Sequence, residues 1–457
     1  MPSYFAHSAL LPSGWSDAVS FSINDQGFFT NVRPNADPGG TDILPGVALP
    51  GAVNLHSHAF QRGMAGLAER GAEEAENFWS WRDVMYDFVS SLTPDDVQAI
   101  AAQLYVEMLR AGYTSVVEFH YLHKDPQGAP YATLGAMSEA VLGAAAATGI
   151  GITHVPTFYS TGGFGRAPVS DTQRRFVMDP DMLLLLLEGL IAEAAGDPQR
   201  RVGLGLHSLR AVPIEQLDPM VTAAWSIDSE APIHIHVSEQ RREVEECVAT
   251  LGARPVEWLV DNSPLDSRWC TIHATHVSPD EVRALSSSGA VVGLCPTTEA
   301  NLGDGVFPLS DFLGSGGTIG IGSDSHVTVD PAAELRLLEY GQRLLWENRN
   351  VAARGQGRST GAFLYQASLK GGARAAGRRV GALAEGHRAD IVVLDPNHPT
   401  LAGRTGDTLL DSWVFSATGS PVSGVMVGGQ WVVRDGHHDG EGAIADRYRN
   451  TMARLRS

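Results

Sequence analysis

Eight short apolar runs, each closing on polar or reactive side chains, recur along the middle of this chain, and stretches of helical character lie between them. The runs are 51–58, 114–121, 151–159, 201–209, 232–239, 270–276, 290–299 and 318–325. Between them, segments such as Asp95 to Leu109, Asp181 to Ala195 and Pro279 to Ser286 carry apolar residues at spacings of three and four, with turn residues at their edges. Strand then helix, eight times over, predicts an α/β chain whose centre is a (β/α)8 TIM barrel. Nearly unbroken apolar stretches such as Ala290-Val291-Val292-Gly293-Leu294 fit a parallel sheet buried on both faces. Chemistry in that architecture belongs to the C-terminal ends of the strands. His56, His58, His207, His236, Glu239, His273 and Asp324 all fall at such ends.

The first run ends in His56-Ser57-His58. Side chains on a strand alternate with a period of two, so both imidazoles point the same way and can meet one metal ion from one face. A His-x-His pair alone is a weak signal. With His236 from the fifth run and Asp324 from the eighth, four donors gather at one end of one barrel, and a single chance rim histidine no longer explains the pattern. His234 shares a face with His236 but lies one layer deeper and reads as a packed core imidazole. His120, His123 and His326 receive no role at this stage.

The flanks have another character. Residues 1–49 are rich in Gly, Pro and Asp with short alternating stretches. After a helical segment around Ala362 to Ala376 come Ala389 to Asp395 and then Val425 to Val433, which reads as a hairpin about Gly428-Gly429. The expected organisation is a small β-sandwich assembled from 1–49 and 380–457, with the barrel, 50–379, inserted between its halves. A chain of 457 residues is long enough to give each unit a core. Its net charge of -19 argues against nucleic acid as a partner, since that binding rests on neutralising phosphates. Three cysteines in so long a chain make no disulfide framework, which fits a reducing, cytoplasmic compartment. No signal-like or membrane-spanning stretch is expected: no basic residue precedes Arg33, and Glu188 interrupts the most apolar helix.

Taken together, the His-x-His after Pro50-Gly51-x-x-Asn54, the His236-x-x-Glu239 element, His273, Asp324 after Gly322-Ser323, and Gly386-x-x-Ala389 to Asp395 resemble the amidohydrolase superfamily along essentially the whole chain. Asn54 to Arg62, Phe78-Trp79-Ser80-Trp81-Arg82, His207-Ser208-Leu209-Arg210 and Gly322 to His326 narrow the resemblance to its deiminases of linear acidic amidines. Binuclear members of the superfamily bridge two ions with a carboxylated lysine on the fourth barrel strand. The only lysines here, Lys124 and Lys370, lie elsewhere, so a single divalent ion is expected. Zn2+ suits three imidazoles and a carboxylate, as do Fe2+, Co2+ and Mn2+.

The resemblance implies hydrolysis of N-formimidoyl-L-glutamate to the formyl derivative and ammonia, a step of histidine degradation. It assigns Asp324 as ligand and base, Glu239 as partner of the imino nitrogen, and His273 as support for the tetrahedral centre. Glu239 has a second reading, as a group that orients a ligand. Two substrate carboxylates call for guanidinium forks, for which Arg82 and Arg210 are the candidates. The resemblance adds Gln61, Tyr121 and His207. Arg82, in an expected aromatic loop, also reads as a solvated residue. The resemblance further implies a homodimer. Rival readings are a deaminase of a purine, pyrimidine or nucleoside, cleavage at the other C–N bond, and a barrel that binds without catalysis.

Overall fold

The computed structural model of the chain describes residues 2–71, 77–353 and 355–456. Its centre is a run of parallel strands, β1 (Ala52–Ser57), β2 (Tyr113–His120), β3 (Gly151–Phe158), β4 (Leu204–Ser208), β5 (Ile233–Val237), β6 (Trp269–His273), β7 (Val291–Leu294) and β8 (Thr318–Ile321). Each pairs with its sequence neighbour, from β8 round to β1. Ser57 bridges Asp324, and the backbone bonds Asp324 N–H to His56 O (3.0 Å) and His58 N–H to Asp324 O (3.2 Å) bring β1 against the end of β8. The closure of the barrel therefore runs through the backbone of three of the four predicted metal ligands. Gly322 permits the approach. A Cβ there would sit 2.8 Å from His56 Cβ and 2.9 Å from its backbone, so no larger residue lets β8 come so near.

The eight runs differ from the observed strands mainly where they end. The fourth is divided at Gly203 into Arg200–Val202 and β4, and the seventh stops at Leu294, after which Pro296–Leu302 is helical. Proline at the first helical position is pre-set for that turn and lacks the N–H a strand would need.

The second sheet has nine strands drawn from both chain ends, between Ser3 and Pro50 and between Ile391 and His438. Its two halves join where Val47–Pro50 pairs antiparallel with Ile391–Leu394, one residue before β1 begins. Ala6, Val19, Phe21, Ala48, Ile391 and Val393 are among the buried residues of its core. The expected hairpin is present, with Gly428 and Gly429 both at positive φ. The C-terminal segment also supplies helices Asp407–Ser416 and Glu441–Leu455, which pack on barrel helices. No helix among the described residues is long and apolar enough to cross a membrane.

Candidate active site

At the C-terminal mouth of the barrel one pocket, with about 580 Å³ of empty volume, is lined by ten of the eleven predicted site residues: His58, Gln61, Arg82, Tyr121, His207, Arg210, His236, Glu239, His273 and Asp324. The eleventh, His56, is fully buried beneath it. His56 comes from β1 and His58 from the position just past its end, His207 from β4, His236 from β5 and His273 from the tip of β6. Glu239 reaches the same pocket because Ser238, at φ 53°, turns the chain left-handed and breaks the strand alternation. His273 (φ 68°) and Asp324 (φ 48°) are also left-handed. Backbone strain of this kind concentrates at functional sites.

Three imidazole nitrogens converge. His56 Nε2 lies 3.1 Å from His58 Nε2 and 3.0 Å from His236 Nε2, and Asp324 Oδ1 is 3.3 Å from His58 Nε2 and 3.6 Å from His56 Nε2. His58 Nδ1 donates to the Phe119 carbonyl (2.8 Å) and His236 Nδ1 to the His207 carbonyl (2.9 Å), so in the neutral rings both Nε2 atoms aim lone pairs at the same point. Burial, followed by mutual repulsion of the rings, holds His56 and His236 well below the usual imidazole range. Burial also takes His58 down to about 3, against the Phe119 carbonyl. With His58 and His236 in that tautomer, a divalent cation at the centre of the three nitrogens binds all three and the carboxylate. The donor set fits one such ion, with separations expected of ligands at about 2.0–2.2 Å.

The acid-base groups lie on the opposite side of Asp324. His273 Nε2 is 3.6 Å from Asp324 Oδ2 and 3.7 Å from Glu239 Oε1, and its Nδ1 is 3.1 Å from Glu299 Oε1. Burial alone would depress His273, but Glu239, Glu299 and Asp324 together push it up to about 10. Burial raises Glu239 and takes Asp324 to about 7, in each case opposed by the neighbouring His273.

The segment from Phe78 to Arg82, expected as a loop, belongs instead to helix α1 (Phe78–Val89). Asn77 accepts from the Trp79 N–H, and Ser80 returns a bond to the Asn77 N–H, a cap whose chemistry is visible in Asn77-x-x-Ser80. The helix places Phe78, Trp81, Arg82, Met85 and Tyr86 on the pocket wall. The Arg82 guanidinium lies 4.4 Å from the Trp79 ring centroid and that of Arg210 5.7 Å. Among the described residues neither arginine forms an ion pair, and the Nε of each is buried without a hydrogen-bond partner. Both guanidiniums face the cavity with aromatic rings, rather than carboxylates, against them. Gln61 Nε2 donates to Tyr121 Oη at 2.9 Å.

Several residues given no role in the sequence reading complete the site. Tyr159 and Phe176 line the pocket; Tyr159 ended the third apolar run, a position that could have flagged it. Beneath β1, Glu118 accepts from Ser57 Oγ (2.5 Å), the Ala59 N–H (2.7 Å) and Tyr105 Oη (3.1 Å). His326 joins that group to β8: Nε2 donates to Ser57 Oγ (3.1 Å), Nδ1 accepts from Ser323 Oγ (2.9 Å), and Ser323 Oγ accepts from Asn54 Nδ2 (2.6 Å). A carboxylate inside an apolar run was the available signal for Glu118. His120 and His123 are buried outside the pocket, and His234 Nε2 donates to the Ala375 carbonyl (2.9 Å), as a core imidazole does.

Comparison with known proteins yields consistent relatives. Residues 47–432 match the model of the Amidohydrolase family. The chain is 49% identical to formimidoylglutamate deiminase of Pseudomonas aeruginosa over 457 residues, covering the whole of both chains. It is 28% identical to 5-methylthioadenosine/S-adenosylhomocysteine deaminase of Haloarcula marismortui, over 86% of this chain and 83% of that one. The crystal structure of an amidohydrolase from Brucella melitensis superposes with a TM-score of 0.94 at 42% identity, covering both chains in full.

Proposed function

The chain belongs to the amidohydrolase family, and from that premise we propose that it is a formimidoylglutamate deiminase, hydrolysing N-formimidoyl-L-glutamate to N-formyl-L-glutamate and ammonia. The observation that carries the substrate reading is the pair of unpaired guanidiniums, Arg82 and Arg210, facing the same cavity as the imidazole-carboxylate cluster. Arg210 is buried and Arg82 half-buried, a costly setting for a guanidinium with no carboxylate beside it, and a substrate with two carboxylates supplies one to each. A purine or pyrimidine ring offers no such compensation.

His56, His58, His236 and Asp324 would hold one divalent ion, for which zinc is our reading. When bound, such an ion acts as a Lewis acid and lowers the pKa of water towards ~7. Asp324 accepts the proton of the water that attacks the formimidoyl carbon. Glu239, whose carboxyl is pushed upward by burial, pairs with the imino nitrogen. His273, charged by its three carboxylate neighbours, steadies the oxygen of the tetrahedral centre. The C–N bond to the former imino nitrogen then breaks as that nitrogen takes up protons by way of Glu239. One water is consumed; one ammonia and one formyl group result. Arg82 and Arg210 hold the carboxylates, while Gln61, Tyr121 and His207 supply polar contacts. The step belongs to histidine degradation in the cytoplasm, and we place it in a homodimer with the 50–379 barrel as its catalytic unit.

The test is to incubate metal-loaded protein with N-formimidoyl-L-glutamate and quantify ammonia, formylglutamate, formamide and glutamate, before and after chelation. Ammonia and formylglutamate in equal amounts, lost on metal removal, are expected. Formamide and glutamate would move the cleavage to the other bond, and no product with one ion bound would overturn the substrate.

A further inference from the structure

Asp324 presents its two oxygens to two different sets of side chains. Oδ1 faces His56 and His58, while Oδ2 lies 3.6 Å from His273 Nε2. On the His273 side stands Cys295, fully buried just past the end of β7. Its sulfur, a ring nitrogen of His273 and a carboxylate oxygen of Asp324 all lie within 4.8 Å of one another. We propose that His273, Cys295 and Asp324 form a second cation site, sharing Asp324 with the tri-imidazole site, which takes a thiophilic divalent ion such as cadmium or excess zinc and halts the reaction.

The geometry suits such an ion. Ligands at roughly 2.0–2.3 Å in a tetrahedron lie about 3.5 Å apart, so the His273–Asp324 pair at 3.6 Å is already spaced for it and the sulfur, within 4.8 Å of both, has to close by no more than about 1.3 Å. Glu239 Oε1, 3.7 Å from His273 Nε2, is within reach as a fourth donor. Sulfur selects soft and borderline ions over magnesium, calcium or manganese. Neither Cys247 nor Cys270 joins a donor group of this kind among the described residues. The site owes nothing to a bridging lysine. Its donors come from β6, the end of β7 and the turn after β8.

Binding releases the Cys295 thiol proton, and any proton on the ligating His273 nitrogen, to solvent, so the site fills after the first one. It would inhibit because the reaction needs His273, Glu239 and the second oxygen of Asp324 free to move protons. The inference rests on Asp324 serving the first site and not on the identity of the substrate.

Protein carrying one equivalent of zinc is titrated with cadmium chloride. Three quantities are followed: the ultraviolet sulfur-to-cadmium charge-transfer band, total zinc and cadmium retained after gel filtration, and ammonia release from N-formimidoyl-L-glutamate. We expect the band to grow with one added equivalent of cadmium while zinc stays bound, and activity to fall in step. Cys295→Ser should keep its zinc and its activity without cadmium, lose the band, and need about 10- to 100-fold more cadmium for half-inhibition. Cys295→Ala gives a second test should the serine variant fold poorly. No band in the wild type at saturating cadmium, cadmium that merely replaces zinc, or a band unchanged in both Cys295 variants would each overturn the site. The band and the metal count decide the matter even if the substrate assignment fails.

Discussion

Charge at single residues divides the work of the pocket. Asp324 and Glu239 are both pushed upward by burial, but Asp324 leans on the imidazole trio through Oδ1 while Glu239 faces His273 and the cavity. Glu239→Gln keeps the shape and removes the proton exchange; kcat should fall by about 100- to 10,000-fold with metal content unchanged, as general acid-base groups contribute. Near-normal turnover would assign Glu239 to orienting a neighbour. Arg210→Met should raise KM by about 10- to 100-fold, the worth of a hydrogen bond to a charged group, with the metal retained. An unaltered KM would remove Arg210 from the carboxylate clamp. These positions were legible in the sequence because each sits where an apolar run ends. Glu118 and Glu299 were not, because their partners, Ser57, Tyr105 and His273, are met only across strands and helices.

Two elements position these residues from a distance. The cap at Asn77 fixes the start of α1, and with it the direction in which Arg82 leaves the helix. Removing it with Asn77→Ala should cost about 1 kcal/mol locally. Faster amide exchange along α1 and a higher KM, with kcat and bound metal unchanged, are the expected readouts. The relay from Asn54 through Ser323, His326 and Ser57 to Glu118 joins β1, β2 and the turn after β8 beneath the imidazoles. Ser57→Ala interrupts it without touching a donor atom. Equilibrium titration with a competing chelator should show metal affinity lowered by about 10- to 100-fold, the usual effect of losing an outer hydrogen bond; unchanged affinity would mean the strands hold the ligands unaided. The helical pattern of α1 was hidden because aromatic residues on both sides of the turn mask the period.

For the whole molecule, buried titratable groups shape the response to acid. His154 is taken down to about 3 by burial, and neither of its ring nitrogens has a hydrogen-bond partner; His123 is at about 4. Between pH 6.5 and those values the unfolded chain binds protons that the folded chain refuses, so stability is lost as pH falls through that window. Glu118, raised to about 7 by burial, acts in the opposite sense, since the folded form binds its proton first. His154→Leu should leave stability at pH 7 little changed and recover up to about 2 kcal/mol at pH 5 relative to the wild type, read from denaturant midpoints at the two pH values. Equal losses in both proteins would show that His154 does not couple to acid unfolding. The sequence by itself determined the strand-helix alternation, the chain-end sheet and the donor types at the strand tips, because burial of apolar runs and the period of two are local properties of the chain. Tertiary structure alone decided which donors meet: Asp324 lies beside His56 because Gly322 lets β8 close on β1, and contacts between residues so far apart in sequence follow from how strands register around the barrel.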